Sequence, residues 1–239
     1  MKTYYSCLFI LTFFISCDSN SEIATQGAAS RAISNRNATE LPGNIDNPYD
    51  EAGWIHNELF ESYYASGSKP ITVSGIVTSV EALADINTNF KTINTSTYHS
   101  VSSARVQYIL EHKSTCVSDV ISNSSLTSGA KLSLTTFINS LVATFETESN
   151  CDVLYNYVVA YEKKIINDSS LTTRDKQIIL ITTSIARHTA YLAKKKPKKN
   201  TDPDWTILVG NIIASADGAE YGTSESVIEG LVTGIAQNQ

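Results

Sequence analysis

The sequence predicts an all-α protein, and three observations predict it. Apolar side chains recur at helical spacing in one segment after another, sustained strand alternation is absent, and the connections are clusters of Gly, Asn, Ser and Pro that suit turns. About seven or eight helices fit the chain of 239 residues, and its 42% apolar content can build a substantial core.

The first element is a leader. Lys2 precedes an apolar run from Cys7 to Ile15, which is too short to span a bilayer and has the length of a signal peptide. The run ends Phe14-Ile15-Ser16-Cys17, where an apolar and a small residue precede a cysteine as in a lipobox. Cleavage after Ser16 would leave residues 1–16 behind as a lipoprotein-type signal peptide and make Cys17 the site of lipidation. Two or three palmitate-type chains, at about 0.8 kcal/mol per buried methylene, would hold the protein to a membrane almost irreversibly. The expected address is the bacterial cell envelope, with the outer membrane foremost. No other segment competes for the bilayer, because the apolar window Trp205–Ala216 is short and is followed closely by Asp217 and Glu220.

Residues 18–46 are polar and small, without an apolar period, and read with Cys17 as a lipidated, flexible tether. About 29 such residues have a typical reach of about 30 Å. A single helical domain is expected over 47–239. Asn47-Pro48-Tyr49-Asp50 reads as its start: Asn as N-cap, Pro at the first helical position and an acid near the positive end of the helix dipole. This helix runs to about Tyr64, with Tyr49, Gly53, His56, Phe60 and Tyr63 on one stripe, and Gly67 and Pro70 end it.

Further helices are expected at about Val73–Asn89, Val101–Ile121, Ala130–Glu148, Asp152–Ile166, Thr173–Lys195, Asp204–Glu220 and Glu225–Gln237. Thr172 and Asp175 are spaced as a capping box. In Ile178–Ile185 the β-branched residues weaken helix propensity, and a buried strand is the alternative.

Candidate chemistry is sparse. His56 lies on the apolar stripe, where an imidazole is either a satisfied core residue or a weak catalytic candidate. Asn57 points about 100° away from it, so the two are not expected to act as one unit. His99, His112 and His188 lack metal-ligand spacing, so neither a metal nor a cofactor is indicated. Ser66 to Lys69 and Ser128 to Lys131 match S-x-x-K, as chance would supply in a serine-rich chain. Cys116 and Cys151 form an even pair that an oxidising compartment could bond, or else two buried thiols.

Gly210, Ala214, Gly218 and Gly222 recur every four residues and make a smooth ridge, suited to tight intrachain packing or to a membrane-active zipper. Asp217 beside it could cap a helix, bond across the contact or simply face water. The lysines of 194–199 suit a helix end, or a touch on anionic headgroups. The net charge of −6, which becomes −7 once Lys2 is removed, argues against nucleic acid as a partner.

Asn47-Pro48-Tyr49-Asp50-x-x-Gly53-x-x-His56-Asn57, with Ser184-Ile185-Ala186-Arg187 and Asp217-Gly218, resembles a group of uncharacterised lipoproteins and secreted proteins of Bacteroidota. The resemblance covers most of the domain and implies a compartment and a helical fold, but no activity. The expectation is a lipid-anchored binding or scaffolding module, partnered by the membrane through Cys17 and by a protein or anionic headgroups. An envelope enzyme of hydrolase type using His56, and a membrane-active or immunity-type protein using the C-terminal helices, stay open.

Overall fold

The β-branched stretch Ile178–Ile185, which argues most strongly for a strand, is helical and lies at the centre of the molecule. In this computed structural model, residues 41–67, 69–94, 98–195 and 208–239 are described, all within the unit Asn37–Gln239. These residues are all-α, with ten helices and no strand among them. In order they are α1 (Glu51–Ala65), α2 (Val73–Ile86), α3 (Thr88–Ile93), α4 (Ser103–Glu111) and α5 (Cys116–Asn123), followed by α6 (Ser128–Thr147), α7 (Cys151–Asn167), α8 (Thr173–Lys195), α9 (Leu208–Gly218) and α10 (Thr223–Gln237).

Helix α8 is buried without a break from Ile178 to Tyr191, enclosed by α1, α7 and α9. A helix covered on all sides needs no amphipathic stripe. The β-branched residues cost a few tenths of a kcal/mol each in propensity, while burying each isoleucine contributes about 1.5–3 kcal/mol, so burial wins. The threonine hydroxyls in this stretch are satisfied locally: Thr182 donates to the carbonyl of Ile178 at 2.8 Å and Thr183 to that of Leu180 at 3.3 Å. Helix α10 is the second buried helix, covered from Ser224 to Thr233 and packed on α9, α1, α2 and α4.

Two expected helices are split. Asn87 ends α2, and its side chain accepts from the Phe90 N–H at 2.8 Å to cap α3. His112 closes α4, and α5 restarts after a turn in which the Thr115 hydroxyl donates to Asp119, an acid in the first turn, at 2.8 Å. The first helix also begins later than its sequence signal. Asn47 accepts from the Tyr49 and Asp50 N–H groups to form a turn, and α1 itself starts at Glu51. The box at Thr172 and Asp175 forms and does more than expected. The Asp175 carboxylate takes N–H and hydroxyl donors from both Thr172 and Thr127, tying the starts of α8 and α6 together.

The small-residue ridge is consumed inside the fold, where α9 meets α10. A Cβ at Gly218 would sit 2.6 Å from the Glu225 carbonyl oxygen and 2.7 Å from the Ser226 Cα, and one at Gly230 would collide with Ser215. Ala214 is fully buried in the same contact, whereas Gly222 faces the Glu225 carboxylate. The bonding left open for Cys116 and Cys151 is not made, and both are free thiols. Cys116 is buried at the start of α5, which packs on α6 and α9, while Cys151 opens α7, which packs on α6 and α8.

Alanine at these glycines separates backbone crowding from helix propensity. Gly218→Ala should lower stability by about 1–3 kcal/mol, because the obstructing atoms are backbone. Gly234→Ala, whose nearest neighbour lies at 3.5 Å, should be neutral or stabilising by up to about 1 kcal/mol. Urea denaturation of the two variants checks the contrast.

Candidate functional site

Two polar clusters stand out, one closed and one open. The closed one is built on Arg187, whose guanidinium is withdrawn from water between α1, α7 and α8. A buried guanidinium must find acceptors for its donors. Nε donates to the Pro42 carbonyl at 2.7 Å, Nη1 pairs with Glu162 and Nη2 pairs with Asp50. Glu162 is fully buried and also accepts from the amides of Asn44 at 2.7 Å and Asn47 at 2.8 Å. Burial alone drives the Glu162 carboxyl upward and the Arg187 guanidinium downward. Their contact and the two amide donors oppose that drive.

Next to this cluster Gly53 lets α1 lie directly on α8. Its N–H donates to the Ser184 hydroxyl at 3.0 Å, which in turn donates to the Asp50 carbonyl at 2.9 Å. A Cβ at Gly53 would come within 2.6 Å of the Ser184 carbonyl oxygen and would strike the His188 ring. His188 is itself buried, 3.4 Å from Asp50 and edge-on to Trp54. The motif Asn47 to Asn57 and the segment Ser184–Arg187 are therefore two sides of one contact.

His56, the weak catalytic candidate, is 1% exposed and lines none of the described clefts. Burial lowers its pKa to about 4, so the ring is neutral. Asn57 does reach it, at a long 3.5 Å, and touches His188 at 3.4 Å, because the two side chains bend toward each other across adjacent positions. The ring is enclosed in the core.

The open cluster is a cleft of about 800 Å³ between α4, α5 and the α9–α10 turn. Four carboxylates line it: Asp217, Glu220, Glu225 and Glu229. Arg105 is the one permanent cation among the lining residues, and it is committed to Asp217 through two bonds of 2.6 and 2.8 Å. Asp217 thus bonds across to α4. Glu220 accepts from the Ser125 N–H and hydroxyl at 2.9 and 2.6 Å, with Arg174 3.7 Å away. Glu225 accepts from the His99 N–H at 3.2 Å and the Ser224 hydroxyl at 2.9 Å. Glu81 on α2 holds the loop that carries His99, accepting from Tyr98, Ser100 and the Val101 N–H.

Glu229 is the exception. It is only 6% exposed, and its Oε1 has no hydrogen-bond partner among the described residues. Burial first, then the adjacent Asp217 carboxylate and its hydrogen bond to Glu229, hold the Glu229 carboxyl well above the ordinary range, with Arg105 opposing them. Sequence patterning gave Glu229 no distinction. The available signal was its place one turn after Glu225, two acids on the same face of an otherwise apolar helix.

The remaining candidates are accounted for locally. Lys69 lies over the Tyr64 ring and Lys131 donates to the Ser122 carbonyl, so neither S-x-x-K lysine is turned to its serine. Lys194 stacks on Phe145, while Lys196, Lys198 and Lys199 lie outside the described residues, as do Cys17 and most of the tether. Among the described residues no group of His, Cys, Asp and Glu could hold a metal ion, and no helix is long and apolar enough to cross a membrane. No protein-family model, curated protein or solved structure matches the chain.

One outcome tests the closed cluster and a second the burial of His56. Arg187→Met should destabilise the fold by about 3–5 kcal/mol by stranding Glu162, and adding Glu162→Gln should recover part of that loss in a double-mutant cycle. For His56, whose folded pKa of about 4 is depressed from 6.5, the unfolded chain binds the extra proton. Its contribution is present above pH 6.5 and is lost as pH falls toward 4, on the order of 3 kcal/mol in all. Unfolding of His56→Asn should therefore vary less with pH across that window than unfolding of the parent.

Proposed function

We propose that this protein is a lipid-anchored binding module of a bacterial cell envelope, attached through Cys17 and receiving its ligand in the cleft between α4, α5 and the α9–α10 turn. The observation that carries the reading is the contrast between the two clusters. The Arg187 network is closed and internally matched, as a structural clamp would be. The cleft is open, of a size that suits a small molecule, and lined by acids that its own cations do not match.

The anchor rests on the apolar run and the Phe14-Ile15-Ser16-Cys17 boundary, and the envelope address rests on the same residues together with the resemblance to Bacteroidota lipoproteins. An enzyme acting through His56 has little support, since the ring is buried and neutral. A membrane-active zipper is disfavoured as well, because the glycines it would use are taken up between α9 and α10.

Two variants divide the proposal. Cys17→Ser should abolish acylation and move the protein from the membrane to the soluble fraction. Ser102→Trp, placed in the cleft wall, should remain folded and lose whatever small molecule the parent retains from an envelope extract, read by native mass spectrometry. Continued membrane attachment of the first, or unchanged retention by the second, would remove the corresponding half.

A further inference from the structure

One wall of the cleft is built differently from the others. His99, Ser100, Val101 and Ser102 line it as a continuous strap ahead of α4, whereas the remaining lining comes from helices and the residues that directly follow them. Among the described residues, no main-chain to main-chain hydrogen bond joins residues 98–101 to the rest of the protein. Two carboxylates hold the strap instead. Glu81 Oε1 accepts from the Tyr98 hydroxyl at 2.8 Å, the Ser100 hydroxyl at 2.7 Å and the Val101 N–H at 3.1 Å, and Glu225 accepts from the His99 N–H at 3.2 Å. Apolar contact adds the buried Val101 and the Tyr98 ring, edge-on to Phe90. Three of these four bonds therefore end on one oxygen of one side chain, and Glu81 sits on α2, outside the cleft lining.

Beyond the strap the chain is fixed. Ser102 caps α4 by accepting from the Arg105 N–H at 3.3 Å, and Arg105 is held by its two bonds to Asp217. A segment joined to its surroundings through side chains can lift without breaking a helix, so its opening belongs at the low end of local unfolding free energies. Lifting about Ser102 would release Glu225, now 4% exposed, from His99 and widen the cleft on that side.

We propose that residues 98–102 are a gate of the cleft, latched by Glu81 and hinged at Ser102, whose lifting admits and releases the ligand. This rests on the cleft being the ligand site and adds how passage into it is controlled. Because the latch lies outside the lining, it can be loosened without replacing any residue that faces the ligand space.

Hydrogen exchange of the purified protein, read by mass spectrometry, tests the latch. In Glu81→Ala the amides of His99, Ser100 and Val101 should exchange about 10–100-fold faster, while those of α2 and α4 keep the parent's rates. Glu81→Gln, which retains an acceptor oxygen, should fall between the two. Tyr98→Phe combined with Ser100→Ala removes two of the three donors without touching α2 and should shift exchange in the same direction, which keeps the test open if Glu81→Ala folds poorly. For the gate, the rate at which a molecule retained from an envelope extract is lost on dilution, followed by native mass spectrometry, should rise in parallel with the exchange rate, since release through a gate scales with its open population. Unchanged strap exchange, or acceleration spread evenly over α2 and α4, would overturn the proposal. If the strap exchanges faster but the molecule leaves no sooner, while Ser102→Trp abolishes its retention, the gate fails and the ligand cleft stands. If the parent retains nothing, or Ser102→Trp retains as much as the parent, the ligand cleft fails and the gate with it.

Discussion

Withdrawing a guanidinium from water obliges the surrounding chain to supply acceptors, and most of the architecture follows from how Arg187 is satisfied. Its donors reach Pro42, Asp50 and Glu162, so one side chain on α8 fixes the segment before α1, the entry to α1 and the middle of α7. The desolvation of two charges is offset only when geometry and additional hydrogen bonds are good, and the amides of Asn44 and Asn47 provide the latter on Glu162. Apolar packing alone would let α1 slide or rotate on α8. The ion pairs admit one register, and Gly53 then brings the backbones close enough for the Ser184 hydroxyl to bridge them.

The two clusters express the same electrostatics with opposite outcomes. In the Arg187 cluster every charge taken from water meets an opposite charge or a strong donor. Along the cleft, carboxylates on α9 and α10 are brought together by glycine-mediated packing of those helices, with Arg105 bonded to Asp217 and close enough to act on Glu229 as well. Proximity of Asp217 to Glu229 is thus a direct result of the close approach that Gly218 and Gly230 permit. The hydrogen bond between the two carboxyls relieves the repulsion within the fold.

Most of the helices were legible because a 3.6-residue pattern is set by the need to bury one face, and that need shows in the residues themselves. The two splits were hidden because neither Asn87 nor the His112–Thr115 stretch is a strong breaker; each ends a helix through side-chain bonds that exist only in place. Ile178–Ile185 misled in the other direction, since local propensity is a weak term beside complete burial. Among site residues, Asp217 was visible from its position beside the small-residue ridge, and Asp50 and Arg187 from their motifs. Glu162 and Glu229 were not, because an acid on a helix is ordinarily solvated and only the three-dimensional arrangement removes its water.

The same Arg187 clamp defines how the domain would answer a mechanical pull. Tension arriving along the chain ahead of Pro42 meets Arg187 on Pro42, Tyr155 on Gly43 and Glu162 on Asn44 and Asn47, within six residues of one another. These contacts share the force rather than open one after another like a zip, and they connect it straight to α7 and α8. Under traction from that end the helices would resist as a block, and rupture would come as one abrupt event rather than by gradual peeling of α1.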